Sequence, residues 1–411
     1  MEGPTGQIVN PIAGRNLNIE ITKNTLRKQL PKWTKYAYEN IATLKAKAEK
    51  KGTNIRHWSI EALRPEFAFL PALVVGYGNS FHETADMIKE IPRDKCKIIA
   101  CDRSLGKLVS NGVIPDLVTN LDAGTTNIKP FYFYDTSQPE PYPALSLTER
   151  ERSKMNIAVA LTAEPKHFTW FHGRKLFYVP SITAWGNTLT QDLYNETHFP
   201  MVPTAGNVGT TSIIISRMVG CRPPYIIGID FGRRIYKDKL LDLPATKQKI
   251  NTGKQNEVTI DCGNGISVVT DTILRAYAMA TRDLLVVYDL DVRNIGAGLL
   301  HGTWIKTVSP SPDEGGSSRE RMGNFIKFLK EMKIPPEIQA VRTKMQNHEK
   351  LSFPSEAFFP MQRKIKPEEK ELWALRKEIE AHQAVCKNYG MESKTEHKAF
   401  EDLTEQTVRS L

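Results

Sequence analysis

Short apolar runs that alternate with helical patterns constrain the fold of this chain more than any other feature. The runs lie at 72–75, 97–100, 117–121, 157–161, 176–179 and 225–229. Amphipathic helical patterns follow several of them, over 81–91, 105–111 and 207–219. Continuous apolar strands joined by helices are typical of a parallel sheet that helices cover on both faces. We therefore predict an α/β fold with a Rossmann-like parallel sheet.

The 411 residues allow more than one domain. We predict a helical N-terminal segment over 1–70, the Rossmann-like domain over 71–308, a Ser/Pro/Gly-rich linker over 309–318 and a charged helical region over 319–411. Within these parts, residues 1–20 have the composition of a loose lead-in. The apolar residues within 33–51 recur at the spacing of a helix. Residues 232–265 are polar, which indicates an irregular loop or a lid.

Composition excludes several classes of protein. No apolar run approaches the ~20 residues of a membrane span, and the first residues lack the pattern of a signal peptide. We therefore expect a cytoplasmic protein without a membrane span. The five cysteines are scattered, which indicates neither a disulfide framework nor a zinc site.

The chain is basic, with a formal net charge of +10. Much of the excess lies in lysines and arginines between 27 and 51, and no aromatic-basic recognition motif accompanies them. This distribution favours a solvated helix face, or general attraction to anionic ligands and surfaces, over specific nucleic-acid binding.

The turn after the first strand, Gly76-Tyr77-Gly78-Asn79-Ser80, is the sharpest candidate for a ligand site. Glycines at 76 and 78 permit close approach of a ligand to the backbone. A helix that begins near Ser80 offers free amides to an anion. The alternative is a tight turn in which Ser80 only caps the helix. Phe81 stands where a dinucleotide-binding fingerprint needs glycine, and the chain has no P-loop motif.

Three aspartates follow predicted strands. Asp102 follows the second strand at a distance from Gly78 where a ribose-hydroxyl acceptor is often found. Asp122 follows the third strand, and Asp230 ends the strand at 225–229. Since ligands of open α/β sheets bind at the carboxyl ends of strands, all three are candidate site residues. The alternative for each is helix capping or loop solvation.

A second candidate anion site and a candidate base lie further along the chain. Asn207, Gly209 and Thr210 open the helix at 207–219, where free amides favour a phosphate. His301 follows the segment Gly296–Gly298 and is a candidate general base. The alternative for His301 is a partly exposed structural histidine. His167 and His172 lie among aromatic residues, which indicates packing or an acceptor site.

Several of these segments together resemble one known family. Residues 71–81, 98–105 and 112–122, and then 207–210 with 228–231, are similar in this order to motifs of the MptE-like family. That family includes archaeal 6-hydroxymethyl-dihydropterin pyrophosphokinases and bacterial motility accessory factor glycosyltransferases. The sequence departs from the family pattern at Asn79, Phe81 and Ile229.

The resemblance implies a Rossmann-like fold and nucleotide binding by Gly76, Gly78, Asn79, Ser80, Asp102, Asn207, Gly209 and Thr210. The segment Asp291–Gly298 and the added helical regions resemble the transferase branch. They suggest a glycosyltransferase that moves a nonulosonic-acid-type sugar from a cytidine nucleotide. Asp122, Asp230 and His301 would then be the catalytic residues. The expected partner is a nucleotide or nucleotide sugar, with the acceptor and an oligomeric state left open.

Two alternatives remain open. In a 6-hydroxymethyl-dihydropterin pyrophosphokinase that uses ATP, Asp102, Asp122 and Asp230 would become ligands of Mg²⁺, the one cofactor that the resemblance suggests. In a non-catalytic nucleotide-binding or assembly protein, suggested by the departures at 79, 81 and 229, the helical ends would contact a partner.

Overall fold

The computed structural model describes residues 11–121, 153–170, 173–181, 187–236, 239–240, 258–261, 267–288, 290–300, 306–307 and 317–347. The strands are β1 (Ala72–Val75), β2 (Lys97–Cys101), β3 (Leu117–Asn120), β4 (Asn156–Ala160), β5 (Arg174–Ser181), β6 (Met201–Pro203), β7 (Pro224–Ile227), β8 (Arg233–Tyr236), β9 (Lys239–Leu240), β10 (Val258–Asp261), β11 (Ser267–Thr270), β12 (Arg293–Asn294) and β13 (Lys306–Thr307). The helices are α1 (Pro11–Lys51), α2 (Arg64–Phe67), α3 (Asn79–Thr84), α4 (Leu105–Ser110), α5 (His167–Trp170), α6 (Asn187–Thr197), α7 (Val208–Met218), α8 (Thr272–Val287), α9 (Ser318–Glu331) and α10 (Pro336–Gln346).

A nine-stranded sheet forms the centre of the molecule, in the order β13-β12-β7-β1-β2-β3-β4-β5-β6. Neighbouring strands pair in parallel throughout this sheet. The prediction of an α/β fold with a Rossmann-like parallel sheet is therefore confirmed. The chain runs outward from β1 to β6 and then returns to place β7 on the other side of β1. This reversal creates a switch point between β1 and β7.

Helices cover both faces of the sheet, which explains why its strands are continuous apolar runs. Alternate residues of a strand point to opposite faces. Val74 of β1 accordingly joins the core cluster that contains Ile214 of α7 and Leu44 of α1. Its neighbour Leu73 joins a second cluster with Phe325 of α9. Since both faces are buried, apolar residues occupy every position of β1.

A second, four-stranded antiparallel sheet has the order β10-β11-β8-β9. Three of its strands, β8, β9 and β10, lie in the polar region 232–265, for which the sequence indicated an irregular loop or a lid. The expectation of irregular structure was wrong for residues 233–236, 239–240 and 258–261. These strands are difficult to predict from the sequence, because they are only two to four residues long. Such short runs in a polar context carry little periodicity.

Other element boundaries also differ from expectation. The first helix begins at Pro11, within the expected lead-in, and proline is compatible with the first turn of a helix. The helix expected over 81–91 ends at Thr84. The Thr84 hydroxyl donates to the carbonyl of Ser80 at 2.9 Å, a local bond that competes with continuation of the helix. Helix α6 and strand β6 were not predicted.

The region after the expected linker is helical where the structure describes it. Ser317 caps α9 through a reciprocal pair of hydrogen bonds with Glu320, and α10 follows after Pro335. Residues 348–411 lie outside the described part of the chain. No helix among the described residues is long and apolar enough to cross a membrane.

Candidate functional site

The carboxyl edge of the sheet brings most of the predicted site segments to one side of the molecule. The turn at 76–80 follows β1, Asp102 follows β2, and the turn at 228–230 follows β7. Gly209, in the first turn of α7, lies against Ile229, because a Cβ on it would be 3.2 Å from Cγ2 of that residue. Ligands of open α/β sheets bind at such an edge, next to the switch point.

The β1 turn and the β7 turn are joined by hydrogen bonds. The amides of Gly76 and Gly78 donate to the carbonyls of Ile227 and Gly228, at 2.8 and 2.7 Å. Ser80 donates to Asp230 twice, from its amide to Oδ2 at 2.8 Å and from its hydroxyl to Oδ1 at 2.6 Å. The Ser80 hydroxyl also accepts a bond from the Gly228 amide at 2.9 Å. Three amides that were candidate phosphate donors therefore donate to the neighbouring turn.

The glycines of these turns serve close packing between backbones. A Cβ on Gly78 would lie 2.5 Å from Oδ2 of Asp230, and one on Gly76 would clash with the Gly228 carbonyl. Gly228 itself has φ +70°, and a Cβ on it would lie 2.6 Å from the carbonyl oxygen of Gly76. The pattern Gly-x-Gly is thus explained here by the approach of β7 to β1.

A third turn completes this arrangement. A Cβ on Gly296 would lie 2.6 Å from the Ser80 hydroxyl and 3.3 Å from Oδ1 of Asp230. The Leu299 amide donates to the carbonyl of Asp230 at 2.9 Å. Asp230 is 5% exposed and Ser80 is 1% exposed. The Ser80–Asp230 pair is therefore enclosed by protein on the side of the third turn.

Asp102 lies in a second polar cluster one strand away. Its Oδ1 accepts the Arg103 amide at 2.7 Å, and its Oδ2 accepts the side-chain amide of Asn120 at 3.3 Å. Tyr178 donates its hydroxyl to the Asn120 carbonyl at 3.0 Å. Burial raises the pKa of Tyr178, and the Asp102 charge raises it further, so the phenol is neutral and acts as a donor.

Two buried oxygen atoms at the end of β3 have no hydrogen-bond partner among the described residues. They are Oγ1 of Thr119 and Oδ1 of Asn120, both on fully buried side chains at the end of β3. Buried polar atoms normally find partners, because leaving one unpaired is costly. An incoming hydroxyl or amine at the end of β3 would supply a missing hydrogen-bond donor.

The start of α7 retains helix amides in addition to its own cap. Asn207 accepts the amide of Thr210 at 2.8 Å and its hydroxyl at 3.0 Å. The amides of Val208 and Gly209 precede the first bonds within the helix. Neither has an acceptor among the contacts of the described residues. Asn207, Gly209 and Thr210 thus lie at a helix start that fits an anion.

Three histidines and Asp122 were also singled out from the sequence. Asp122, His172 and His301 lie outside the described residues, so their assignment as candidates stays a prediction. His167 is buried, and burial lowers its pKa to about 3, with a smaller contribution from Lys175. A neutral buried ring agrees with the packing alternative.

Sequence reasoning missed several buried polar residues of this edge. Asn120, Tyr178, Glu164 and Asn294 were not candidates, although all four are buried. Asn120 had a visible signal, since it interrupts the apolar run of β3 at its carboxyl end. Tyr178 had none, because a tyrosine within a strand is typical of a core position. Among the described residues, no group of three potential metal ligands occurs.

Comparison with known proteins identifies the family of the central region. Residues 46–235 match the family model described as 6-hydroxymethylpterin diphosphokinase MptE-like. This region, which is less than half of the chain, is similar to the MptE-like family. The resemblance predicted from the ordered motifs is thereby confirmed, and the MptE-like region runs from the end of α1 to β8. It contains β1 to β7 and the whole of α7.

One solved structure to which the chain is similar is the MAf glycosyltransferase from Magnetospirillum magneticum AMB-1. The two proteins share 17% sequence identity with a TM-score of 0.42, over 66% of this chain and 41% of that chain. This chain therefore aligns with less than half of that protein. A comparison with curated proteins finds no match.

Proposed function

We propose that this chain is a transferase that binds a nucleotide-activated sugar at the carboxyl edge of its sheet, beside the switch point between β1 and β7. The observation that carries the proposal is the convergence at this edge of the β1 turn, the Asp102–Asn120 cluster and the start of α7 within an MptE-like region. The cytidine nucleotide and the nonulosonic-acid-type sugar are the donor that we propose.

The contacts suggest a separate role for each group of candidate residues. Phosphate binds at the Val208 and Gly209 amides, because the amides of Gly76, Gly78 and Ser80 already donate within the protein. Asp102 and Asn120 orient hydroxyl groups of the donor. Asp230 fixes the β1 turn through Ser80. Catalytic roles for Asp122 and His301 remain part of the proposal.

Substitution of Val208 by proline tests the phosphate position. Proline at the first helical residue lacks the amide but suits helix geometry, and Asn207 already has an extended backbone that can precede proline. We expect Val208→Pro to keep its melting temperature and to lose about tenfold in nucleotide affinity, since a hydrogen bond to a charged group contributes about 1.5–3 kcal/mol. Val208→Ala, which keeps the amide, is the matched control.

Nucleotide identity is tested by calorimetry with CMP, UMP and ATP, each with and without Mg²⁺. The proposal predicts saturable binding of CMP without metal, and a complete absence of nucleotide binding would overturn it. Asp102→Asn should weaken CMP binding, whereas Asp192→Asn, on the exposed face of α6, should not. Release of CMP from a CMP-linked nonulosonic acid tests turnover.

A second candidate function is the diphosphokinase reaction named in the family description. In that reaction Asp102, Asp122 and Asp230 would hold Mg²⁺ between phosphates of ATP. AMP release that requires Mg²⁺ and 6-hydroxymethyl-dihydropterin would support this candidate over sugar transfer. Nucleotide binding without turnover of either substrate would favour a binding or assembly protein.

A further inference from the structure

Helix α9 contacts the third turn of the carboxyl edge through a buried arginine. Arg321 is 3% exposed. It donates from Nε to the carbonyl of Ile295 and from Nη2 to the carbonyl of Gly296, both at 2.7 Å. The same helix packs on the sheet through Phe325, whose ring centroid lies 4.3 Å from that of Tyr225 in β7. Arg321 is thus held on a helix that is anchored in the core.

The turn that Arg321 holds lies directly against the Ser80–Asp230 pair. Gly296 is close enough to Ser80 that a Cβ would lie 2.6 Å from its hydroxyl, and Leu299 donates to the Asp230 carbonyl at 2.9 Å. The contacts therefore run from Arg321 through the turn at 295–299 to Asp230. The neighbour of Asp230, Ile229, lies against Gly209 at the start of α7, where we place the phosphate. Each link is a hydrogen bond or a direct packing contact between buried residues.

We propose that Arg321 is a positioning residue. It sets the geometry of the nucleotide site by holding the turn at 295–299. This inference rests on the proposed function for the identity of the ligand. Arg321 lies C-terminal to the MptE-like region at 46–235, so α9 supplies a part of the site that the matched region lacks. A guanidinium suits this role because its planar fork reaches two successive carbonyls at once, which a lysine ammonium does not.

The neighbouring Arg319 provides a matched control on the same helix. It is exposed and pairs with Asp86 at 2.8 Å, and it also donates to the Glu83 carbonyl. Both arginines therefore connect α9 to the rest of the protein, but only Arg321 contacts the turn at 295–296. Substitution of Arg319 reports the cost of loosening α9 without altering that turn.

The experiment compares Arg321→Lys and Arg321→Gln with Arg319→Lys in the full chain. CMP affinity is measured by calorimetry well below each melting temperature. We expect Arg321→Lys to bind CMP about tenfold more weakly, the equivalent of about 1.4 kcal/mol, and Arg319→Lys to bind as the wild type does. Added guanidinium ion at millimolar concentration should restore affinity to Arg321→Gln, a rescue that general destabilisation would not produce.

Amide exchange separates failure of this inference from failure of the proposed function. If the wild type binds no nucleotide, the proposed function is wrong, but exchange at Gly296 and Leu299 still reports on the turn. We expect both amides to exchange faster in Arg321→Lys, while amides in β1 keep their protection. Unchanged exchange at both positions, or CMP affinity equal to that of the wild type, would overturn the role of Arg321.

Discussion

Ser80 and Asp230, 150 positions apart in the chain, are joined by two buried hydrogen bonds of 2.8 and 2.6 Å. The Asp230 carboxylate lies at the start of α3, where it accepts the Ser80 amide. A carboxylate is favourable there for the same reason as a phosphate, because the helix start presents free amides and positive potential. The β1 turn is therefore a structural corner on this side.

Substitution of Ser80 by alanine should destabilise the protein. The change removes the hydroxyl bond to Asp230 and leaves the buried Gly228 amide without its acceptor, so we expect a loss of about 1–3 kcal/mol in the free energy of unfolding. Urea unfolding measures it. Ser110→Ala, at an exposed position, should change stability by less than about 0.5 kcal/mol. Equal stabilities of the two variants would contradict the prediction.

Alanine at Gly228 should be far more damaging than alanine at Gly112. Both glycines have φ near +70°, in the left-handed region. Each substitution therefore costs about 1–2 kcal/mol in backbone strain, because the new residue has a Cβ. At Gly112 nothing lies within 4 Å of the new Cβ, whereas at Gly228 the new Cβ would lie 2.6 Å from Gly76 and Phe81. We expect the free energy of unfolding to fall by about 1–3 kcal/mol more in Gly228→Ala than in Gly112→Ala. The difference between the two variants in urea isolates the effect of close packing.

Phenylalanine at Tyr178 tests the Asp102–Asn120 cluster. The hydroxyl of Tyr178 is fully buried, and its loss leaves the Asn120 carbonyl without that donor. We expect a loss of about 1–2 kcal/mol in stability. Tyr38→Phe, at a residue that is 47% exposed, is the control and should be neutral. A shift in CMP affinity beyond that of the control would place Asn120 close to the ligand.

Lys175 should make stability depend on alkaline pH. Burial lowers its pKa to about 8, and the charge of Lys47 lowers it further. Between pH 8 and the unfolded value near 10.5, the unfolded chain binds the proton more readily, so this lysine makes stability rise with pH in that window. We expect the rise to be on the order of 1 kcal/mol, because solvent screens a half-exposed amine.

The comparison of Lys175→Met with Lys327→Met measures this dependence. The free energy of unfolding is determined at pH 7.5 and pH 10 for both variants and for the wild type. Lys327 is exposed on α9, so its variant should keep the wild-type pH dependence. Lys175→Met should lack the contribution of the amine. If both variants follow the wild type, Lys175 does not titrate in this window.

The local sequence was sufficient to predict the first strands of the sheet and the resemblance to the MptE-like family. The run at 72–75 is apolar at every position, and those at 97–100 and 117–121 are apolar except at Lys97, Thr119 and Asn120. Apolar runs are expected where both faces of a parallel sheet are covered. That pattern predicted β1, β2 and β3 to within about one residue. The ordered motifs were specific enough to identify the MptE-like region.

Tertiary structure decided what the motifs do. Strand order places β7 beside β1, and this adjacency makes Asp230 the partner of Ser80 and makes the glycines at 76 and 78 packing residues. The position of α9 brings Arg321 to the carbonyls of Ile295 and Gly296. Periodicity reports which face of an element is buried, but it does not report which distant residue lies opposite that face.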